Sequence, residues 1–240
     1  MERDAYVELA RTEDSHWWYV ARRQILSAQI IRMGLPASAK ILEIGCGTGG
    51  NLPMLSSHGR VSAMEMDAAA QEVARAKTGA GVEIRAGSCP DDIPFTEDRF
   101  DLICLFDVLE HIEDDLGTLR AVNNLLTEEG RTLISVPAYQ WLWSPHDEFL
   151  HHKRRYSAEE LEAKLSDVSL KLERITYFNT LLFPLAVAAR LASSRRSPGA
   201  SKPAAPINDI LRRTFAAERS ILDHVDLPFG LSLLAVARAK

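Results

Sequence analysis

Cysteine is scarce in this chain of 240 residues, which contains only Cys46, Cys89 and Cys104. An odd number of widely separated cysteines predicts neither a disulfide framework nor a cysteine-based metal site, and a reducing compartment is the natural one. No secretory leader is predicted either, because residues 1–11 are charged and have no apolar core. We therefore expect a cytoplasmic protein.

Long apolar runs are also absent. The most apolar stretch, residues 181–189, is broken by Pro184 and followed by Arg190, and it falls short of the roughly 20 apolar residues that span a bilayer. An apolar helix with a basic flank nevertheless suits an anionic membrane surface or a lipid-linked ligand. Residues 181–196 are thus predicted as a peripheral membrane contact, with a core or dimer helix as the alternative, and the oligomeric state is left open.

Positive charge is not in excess, since 28 Lys and Arg stand against 33 Asp and Glu, a formal net charge of -5. Such a chain has no general attraction for nucleic acid, and we expect no nucleic-acid partner. Its content of 46% hydrophobic and 25% charged residues is that of an ordinary folded globule.

Strand and helix patterns alternate along the first half of the chain. Strands are predicted at 40–44, 61–65, 82–86, 100–106 and 130–136, and helices at 15–33, 51–57, 67–77 and 114–126. This alternation predicts an α/β fold, a Rossmann-like doubly wound and mostly parallel sheet with helices on both faces. Further on we expect a helix at 157–165, a strand at 170–176, a flexible connection at 193–206, a helix at 208–225 and a closing strand at 231–236.

A glycine cluster follows the first predicted strand and opens a helix. Gly45, Gly47 and Gly50 satisfy the dinucleotide pattern G-x-G-x-x-G, whereas Glu43 with Gly45, Gly47 and Gly49 satisfies E-x-G-x-G-x-G. Glycines let backbone N–H groups approach a ligand closely, and Glu65 closes the second strand where an acid can accept bonds from ribose hydroxyls. NAD and S-adenosylmethionine both fit these features. Glu43 favours S-adenosylmethionine, because a carboxylate at this position suits its amino group, whereas the pyrophosphate of NAD would gain nothing from a negative charge.

Three segments in order carry a family resemblance: residues 41–50 (ILEIGCGTGG), 63–67 (AMEMD) and 100–115 (FDLICLFDVLEHIEDD). They resemble the motifs of class I S-adenosylmethionine-dependent methyltransferases, in particular the type 11/12 branch that includes quinone-biosynthesis O-methyltransferases. The resemblance implies the class I methyltransferase architecture, with an N-terminal helix and a lid inserted after the fifth strand. It also implies S-adenosylmethionine as cofactor and S-adenosylhomocysteine as product.

By this resemblance Glu65 would hold the ribose, the loop would line the methionine and ribose, and Ser88 or Cys89 would meet the adenine. Cys46 has the alternative role of fitting a tight turn. The predicted cofactor-binding residues are Glu43, Gly45, Cys46, Gly47, Thr48, Gly49, Asn51, Glu65, Met66, Ser88, Cys89, Asp107, Val108 and His111. The N-terminal helix could also cover the donor and place Tyr19, Arg22 or Arg23 near the methionine carboxylate; a plain amphipathic helix is the alternative.

Aromatic, His and Arg residues crowd into the predicted lid, residues 141–156. Its D-x4-H-x-R-R-Y segment, from Asp147 to Tyr156, resembles one found in a subset of these methyltransferases. A histidine could remove a proton from the acceptor, and two arginines could clamp an acidic group; the alternative is an ordered loop with Asp147 paired to Arg155. The predicted catalytic residues are His111, His146 and His152, and the predicted substrate-binding residues are Trp143, Asp147, Arg154, Arg155 and Tyr156. No metal site is predicted.

The sequence thus predicts one domain, 1–240, with a helical cap at 1–36, a cofactor-binding core at 40–136, and the lid, apolar helix, linker and closing strand at 137–240. The predicted reaction is in-line methyl transfer from S-adenosylmethionine to a small-molecule or lipid-linked acceptor, preferably at oxygen. An N-methyltransferase acting on a sugar or other metabolite is the alternative within the class. A non-catalytic cofactor-binding protein and an NAD-dependent oxidoreductase are the alternatives outside it, although Tyr139, Tyr156 and Tyr177 lack the Lys of a Tyr-x3-Lys pair.

Overall fold

The computed structural model describes residues 3–192 and 202–239. Its helices are α1 Arg3–Thr12, α2 Trp17–Met33, α3 Leu52–Ser56, α4 Ala68–Thr78, α5 Asp115–Leu125, α6 Pro145–Phe149, α7 Ala158–Asp167, α8 Phe183–Ala192 and α9 Ala205–Leu222, with 3-10 turns at Gly79–Gly81, Leu109–His111 and Gln140–Leu142. Its strands are β1 Lys40–Ile44, β2 Arg60–Glu65, β3 Glu83–Ala86, β4 Phe100–Phe106, β5 Leu126–Pro137, β6 Leu170–Phe178 and β7 Ser232–Ala239.

The described strands form one sheet in the order β3-β2-β1-β4-β5-β7-β6. Strands β1 to β5 run parallel, and β7 is inserted antiparallel between β5 and β6. This confirms the predicted doubly wound, mostly parallel sheet. The strand order reverses between β1 and β4, and ligands of such sheets bind at the carboxyl ends of the strands beside that point.

Both faces of the sheet are covered, which explains the unbroken apolar runs of its central strands. On β1, Ile41 packs into one core with Leu102 and Cys104, while Leu42 packs into the opposite core with Ile103. These side chains are fully buried. The central strands are therefore rigid supports for the loops at their carboxyl ends.

Several elements differ from the sequence prediction. Helix α1 was not predicted, because its short sequence RDAYVELART is rich in charge and has no apolar run. Strand β5 begins at Leu126 and not at residue 130, since Leu126 pairs with Phe100 ahead of a register shift. Residues 193–201 of the predicted flexible connection, and 193–196 of the predicted membrane contact, lie outside the described residues. Among the described helices, none has the length and apolarity needed to cross a bilayer.

Candidate active site

A cavity of about 1010 Å³ opens at the carboxyl ends of β1, β2 and β4. The glycine loop after β1 forms one wall, and its backbone depends on glycine. Gly45 has φ +68°, and a Cβ there would lie 2.8 Å from Val108 Cγ2. Gly49 has φ +83°, and its Cβ would meet Ala74 at 3.0 Å. Any larger residue at these two positions would push the loop away from β4 and α4.

Glu65, at the end of β2, lines the cavity together with the glycine loop and is 4% exposed. Its Oε2 accepts a hydrogen bond from the Gly47 N–H at 2.9 Å, and its Oε1 accepts one from the Asp67 N–H at 2.9 Å. The Tyr6 hydroxyl of α1 donates a third, to Oε1 at 3.2 Å. The carboxylate is therefore held by backbone on both sides of the loop, in the position predicted for a ribose acceptor.

Glu43 lies beneath the glycine loop and does not line the cavity. The Asn51 Nδ2 donates to its Oε1 at 2.7 Å, and burial raises the pKa of Glu43 to about 8. Thr48 and Gly49 also face away, because the Thr48 hydroxyl donates to Glu13 and Gly49 packs on α4. The remaining predicted cofactor-binding residues line the cavity: Gly45, Cys46, Gly47, Asn51, Glu65, Met66, Ser88, Cys89, Asp107, Val108 and His111.

Helix α2 contributes two cations to the cavity, Arg22 and Arg23. Arg22 donates to the Asp107 carboxylate after β4 and lies 4.6 Å over the Trp18 ring. Burial lowers the pKa of Arg22 to about 10, so its charge persists at neutral pH. The two guanidinium groups and the Glu65 carboxylate line the same cavity, and these are the groups expected to bind an amino-acid carboxylate and a ribose diol.

Helix α6 and the loop after it place Asp147, with a fully buried side chain, at the centre of a polar network. Its carboxylate accepts from Arg155 Nε at 2.7 Å and Nη2 at 2.9 Å, and from the Ser144 N–H and hydroxyl, both at 2.8 Å. His152 Nδ1 lies 3.0 Å from Asp147 Oδ1. Since a carboxylate only accepts hydrogen bonds, Nδ1 carries the proton and the lone pair of His152 is on Nε2.

That lone pair faces Glu110 and His111 across the cavity. His152 Nε2 is 4.0 Å from Glu110 Oε1, and the two imidazole rings are 4.6 Å apart. Glu110 is fully buried, and neither of its carboxylate oxygens has a hydrogen-bond partner among the described residues. Burial raises the pKa of Glu110 to about 8, and burial together with His152 lowers the pKa of His111 to about 3.

One ligand atom each from Glu110, His111 and His152 lies within 4.8 Å of the other two. Carboxylate and imidazole are common ligands of divalent cations, so this cluster could hold such an ion. Glu110 was not among the site residues predicted from the sequence. Its burial, which arises from packing beneath the lid, was the missing information.

The acceptor side differs from the prediction. His111, His146, His152 and Arg155 line the cavity, whereas Trp143, Asp147, Arg154 and Tyr156 do not. The pairing of Asp147 with Arg155, expected as the alternative, is present. Arg154 Nη1 lies 2.9 Å from Asp115 Oδ2, and the buried Tyr156 hydroxyl donates to the same oxygen at 2.9 Å. Both predicted clamp arginines are thus paired within the protein: Arg154 joins the lid to Asp115 of α5, and Arg155 pairs with Asp147 inside the lid.

Comparison with known proteins identifies the family. A sequence model of the methyltransferase-domain family matches residues 18–178. A ubiquinone biosynthesis O-methyltransferase of Xanthomonas axonopodis pv. citri is 29% identical over 175 residues, 66% of this chain and 72% of that protein. Another from Pseudomonas aeruginosa (strain UCBPP-PA14) is 30% identical over 108 residues, 43% of this chain and 46% of the relative.

Solved structures share the fold at lower identity. A TehB-like S-adenosylmethionine-dependent methyltransferase of Corynebacterium glutamicum superposes with TM-score 0.56, 20% identity and coverage of 89% and 87% of the two chains. An S-adenosylmethionine-dependent methyltransferase of Clostridium acetobutylicum superposes with TM-score 0.60 and 14% identity, and the match covers 90% of each chain. The [4+2]-cyclase SpnF superposes with TM-score 0.59 and 17% identity, and the match covers 91% of this chain and 81% of that one. Because SpnF is named a cyclase, the same fold also serves other chemistry. The family match and the motifs together establish that this chain belongs to the methyltransferase-domain family and is a class I S-adenosylmethionine-dependent methyltransferase.

Proposed function

We propose that this enzyme methylates a hydroxyl group of a small-molecule acceptor and that His152 removes the hydroxyl proton. The observation that carries the proposal is the hydrogen bond between His152 Nδ1 and Asp147, which leaves Nε2 as the basic atom facing the cavity. The names of the relatives, O-methyltransferases of ubiquinone biosynthesis, support oxygen as the methyl acceptor.

S-adenosylmethionine, when bound, supplies an electrophilic methyl group on a sulfonium. Glu65 would hold its ribose, the glycine loop would face its methionine moiety, and Arg22 or Arg23 would pair with its carboxylate. The lining fits this group, because Glu65, the two arginines and residues of the glycine loop all line the same cavity. His152, His111 and Glu110 would then surround the acceptor hydroxyl.

Within this arrangement His152 accepts the proton at Nε2, and the negative charge of Asp147 stabilises the imidazolium that forms. Arg155 and Ser144 fix the Asp147 carboxylate, so the ring orientation is set before the acceptor arrives. A general base of this kind typically contributes about 10²–10⁴-fold to the rate.

A His152→Gln variant tests this role. We expect turnover to fall by about 10²–10⁴-fold while S-adenosylhomocysteine affinity stays unchanged, because glutamine cannot take the proton but leaves the donor wall intact. The exposed His224, at the end of α9, supplies the control variant His224→Gln. The assay is methyl transfer to a panel of phenols, alcohols and amines. Full activity of His152→Gln, or transfer only to amines, would refute the proposal.

A divalent cation at Glu110, His111 and His152 is the competing way to activate a hydroxyl, by lowering its pKa. In that case Nε2 would be a ligand and not a base. Turnover measured after dialysis against EDTA separates the two: we expect full activity with the base, whereas a cation mechanism requires loss of activity and its return with added metal.

We also propose that the acceptor is lipid-linked or is collected at a membrane surface. Ring contacts join Tyr139, Trp141, Phe183 and Phe229 into an aromatic patch beside α8. Trp141 and Phe229 are 64% and 43% exposed, and Leu185 on α8 is 61% exposed. Pro137 and Leu231, which adjoin this patch along the chain, line the cavity. Exposed aromatic and aliphatic groups together at a cavity mouth are typical of a membrane-contacting surface.

Vesicle cosedimentation tests this contact. We expect the enzyme to bind vesicles rich in anionic lipid and the double variant Trp141→Ser, Leu185→Ser to bind less. Ile31→Ser, which removes a comparably exposed side chain from α2, should bind as the wild type does. Equal binding of all three proteins would eliminate the patch as the contact.

A further inference from the structure

The ribose acid Glu65 already has a side-chain partner from the same chain. Its Oε1 accepts the Asp67 N–H at 2.9 Å and the Tyr6 hydroxyl at 3.2 Å. A carboxylate oxygen has two lone pairs, so these bonds occupy Oε1. Oε2 accepts the Gly47 N–H and has one lone pair left. A ribose diol brings two donors, and only one can bind while Tyr6 stays in place.

The helix that carries Tyr6 is short. Helix α1 has ten residues, fewer than the roughly 12–15 that an isolated helix needs to be even marginally stable. Tyr6, Leu9 and Thr12 are half-buried and Arg11 is exposed, so the described side chains of α1 include none that is buried. Elements with few buried contacts open at low free-energy cost.

The residue that follows α1 is, by contrast, firmly anchored. Glu13 is 4% exposed and accepts the Thr48 hydroxyl at 2.6 Å, and it forms an ion pair with Lys77 of α4. Its backbone carbonyl accepts Arg23 Nη2 at 2.7 Å. The chain is therefore fixed to the glycine loop at Glu13, and a rotation about that point would carry Tyr6 away from Glu65.

We propose that Tyr6 is a latch on the donor site: its hydroxyl competes with the ribose for Glu65, and α1 turns about Glu13 when the donor binds. Tyr6 and Leu9 line the donor cavity, so α1 borders the site in the latched position and leaves it open to a ligand that does not need Glu65. Burial and the charge of Glu65 raise the pKa of Tyr6, which keeps its hydroxyl a donor at neutral pH. The apparent affinity for the donor is then the intrinsic affinity multiplied by the fraction of molecules in which Tyr6 has left Glu65. The latch rests on the binding of S-adenosylmethionine, which the family uses as methyl donor, and not on the identity of the acceptor or on the role of His152.

Calorimetric titration of the full chain with S-adenosylhomocysteine tests the latch. Tyr6→Phe removes only the hydroxyl, so we expect the affinity to rise by about tenfold, the factor that 1.4 kcal/mol represents. Tyr177→Phe, a change of the same kind on β6, should bind as the wild type does. Unchanged or weaker binding by Tyr6→Phe would overturn the proposal, and weaker binding would make Tyr6 a direct donor contact.

A ligand without the ribose donors separates the latch from a general loosening of α1. The 2′,3′-dideoxy analogue of S-adenosylhomocysteine does not compete for Glu65, so Tyr6→Phe should leave its affinity unchanged. An equal gain for both ligands would reject competition at Glu65. These titrations involve no acceptor, so the latch and the proposed base can fail independently: an inactive His152→Gln leaves the latch standing, and an unaltered Tyr6→Phe leaves the base standing.

Discussion

Replacement of Asp147 by Asn probes stability and the lid together. Asp147 balances the charge of Arg155, whose side chain is only 4% exposed, through two hydrogen bonds of 2.7 and 2.9 Å. The amide is nearly isosteric but neutral, so Asp147→Asn leaves a buried guanidinium without a counter-charge. Breaking a buried pair in this way typically costs about 3–5 kcal/mol. We expect a loss in that range in the free energy of unfolding at pH 7.

The pH dependence of this loss has a definite sign. Burial alone raises the pKa of Asp147, but the hydrogen bond from His152 and the charge of Arg155 outweigh it, and the net pKa lies well below its usual value. A depressed carboxyl pKa contributes stability above the unfolded pKa, about 3.9, and this contribution disappears as the pH falls through the folded pKa. The difference between wild type and Asp147→Asn should therefore be largest near neutral pH and shrink below about pH 4.

Urea unfolding at pH 7 and at successively lower pH measures both effects. The exposed Asp223, at the end of α9, provides the control Asp223→Asn, which should unfold as the wild type does. The double variant Asp147→Asn, Arg155→Met should recover part of the loss, because it removes the unpaired charge. A change within about 0.5 kcal/mol for Asp147→Asn, the usual effect of a surface substitution, would refute the ion-pair reasoning.

Two further substitutions address the donor side. Glu65→Ala should weaken S-adenosylhomocysteine binding by about 1–3 kcal/mol through lost charge-assisted hydrogen bonds, measured by calorimetry against the exposed Glu72→Ala on the adjacent helix; equal affinities would remove Glu65 from the ribose site. Gly45→Ala should lower stability by about 1–3 kcal/mol because of its positive φ and the contact with Val108. Gly81→Ala is the control for thermal unfolding, since a Cβ there meets nothing within 4 Å, and equal melting of the two would contradict the strained loop.

Local patterns predicted much of the fold. Strand β4 begins and ends at the predicted residues, because a strand buried on both faces reads as one apolar run. The glycine loop and Glu65 were predictable for a similar reason, since tight turns and strand ends have short-range signatures. The position of helix α1 was not predictable in this way, because it depends on the contact of Tyr6 with Glu65 and on that of the following residue, Glu13, with Thr48.

The sequence by itself determined the strands of the sheet, the glycine loop, the acid at the end of β2 and the cofactor class, because each depends on residues close together in the chain. Only the tertiary structure decided which polar groups meet. Arg22 reaches Asp107 across 85 positions, and Lys153 N–H bonds to the Glu110 carbonyl, which brings the lid over a carboxylate that has no hydrogen-bond partner among the described residues. Likewise the guanidinium of Arg155 pairs with Asp147, so it is not free to clamp an acidic group of the acceptor as predicted. Such pairings depend on burial, because a charged group removed from water must find a partner wherever the fold places one.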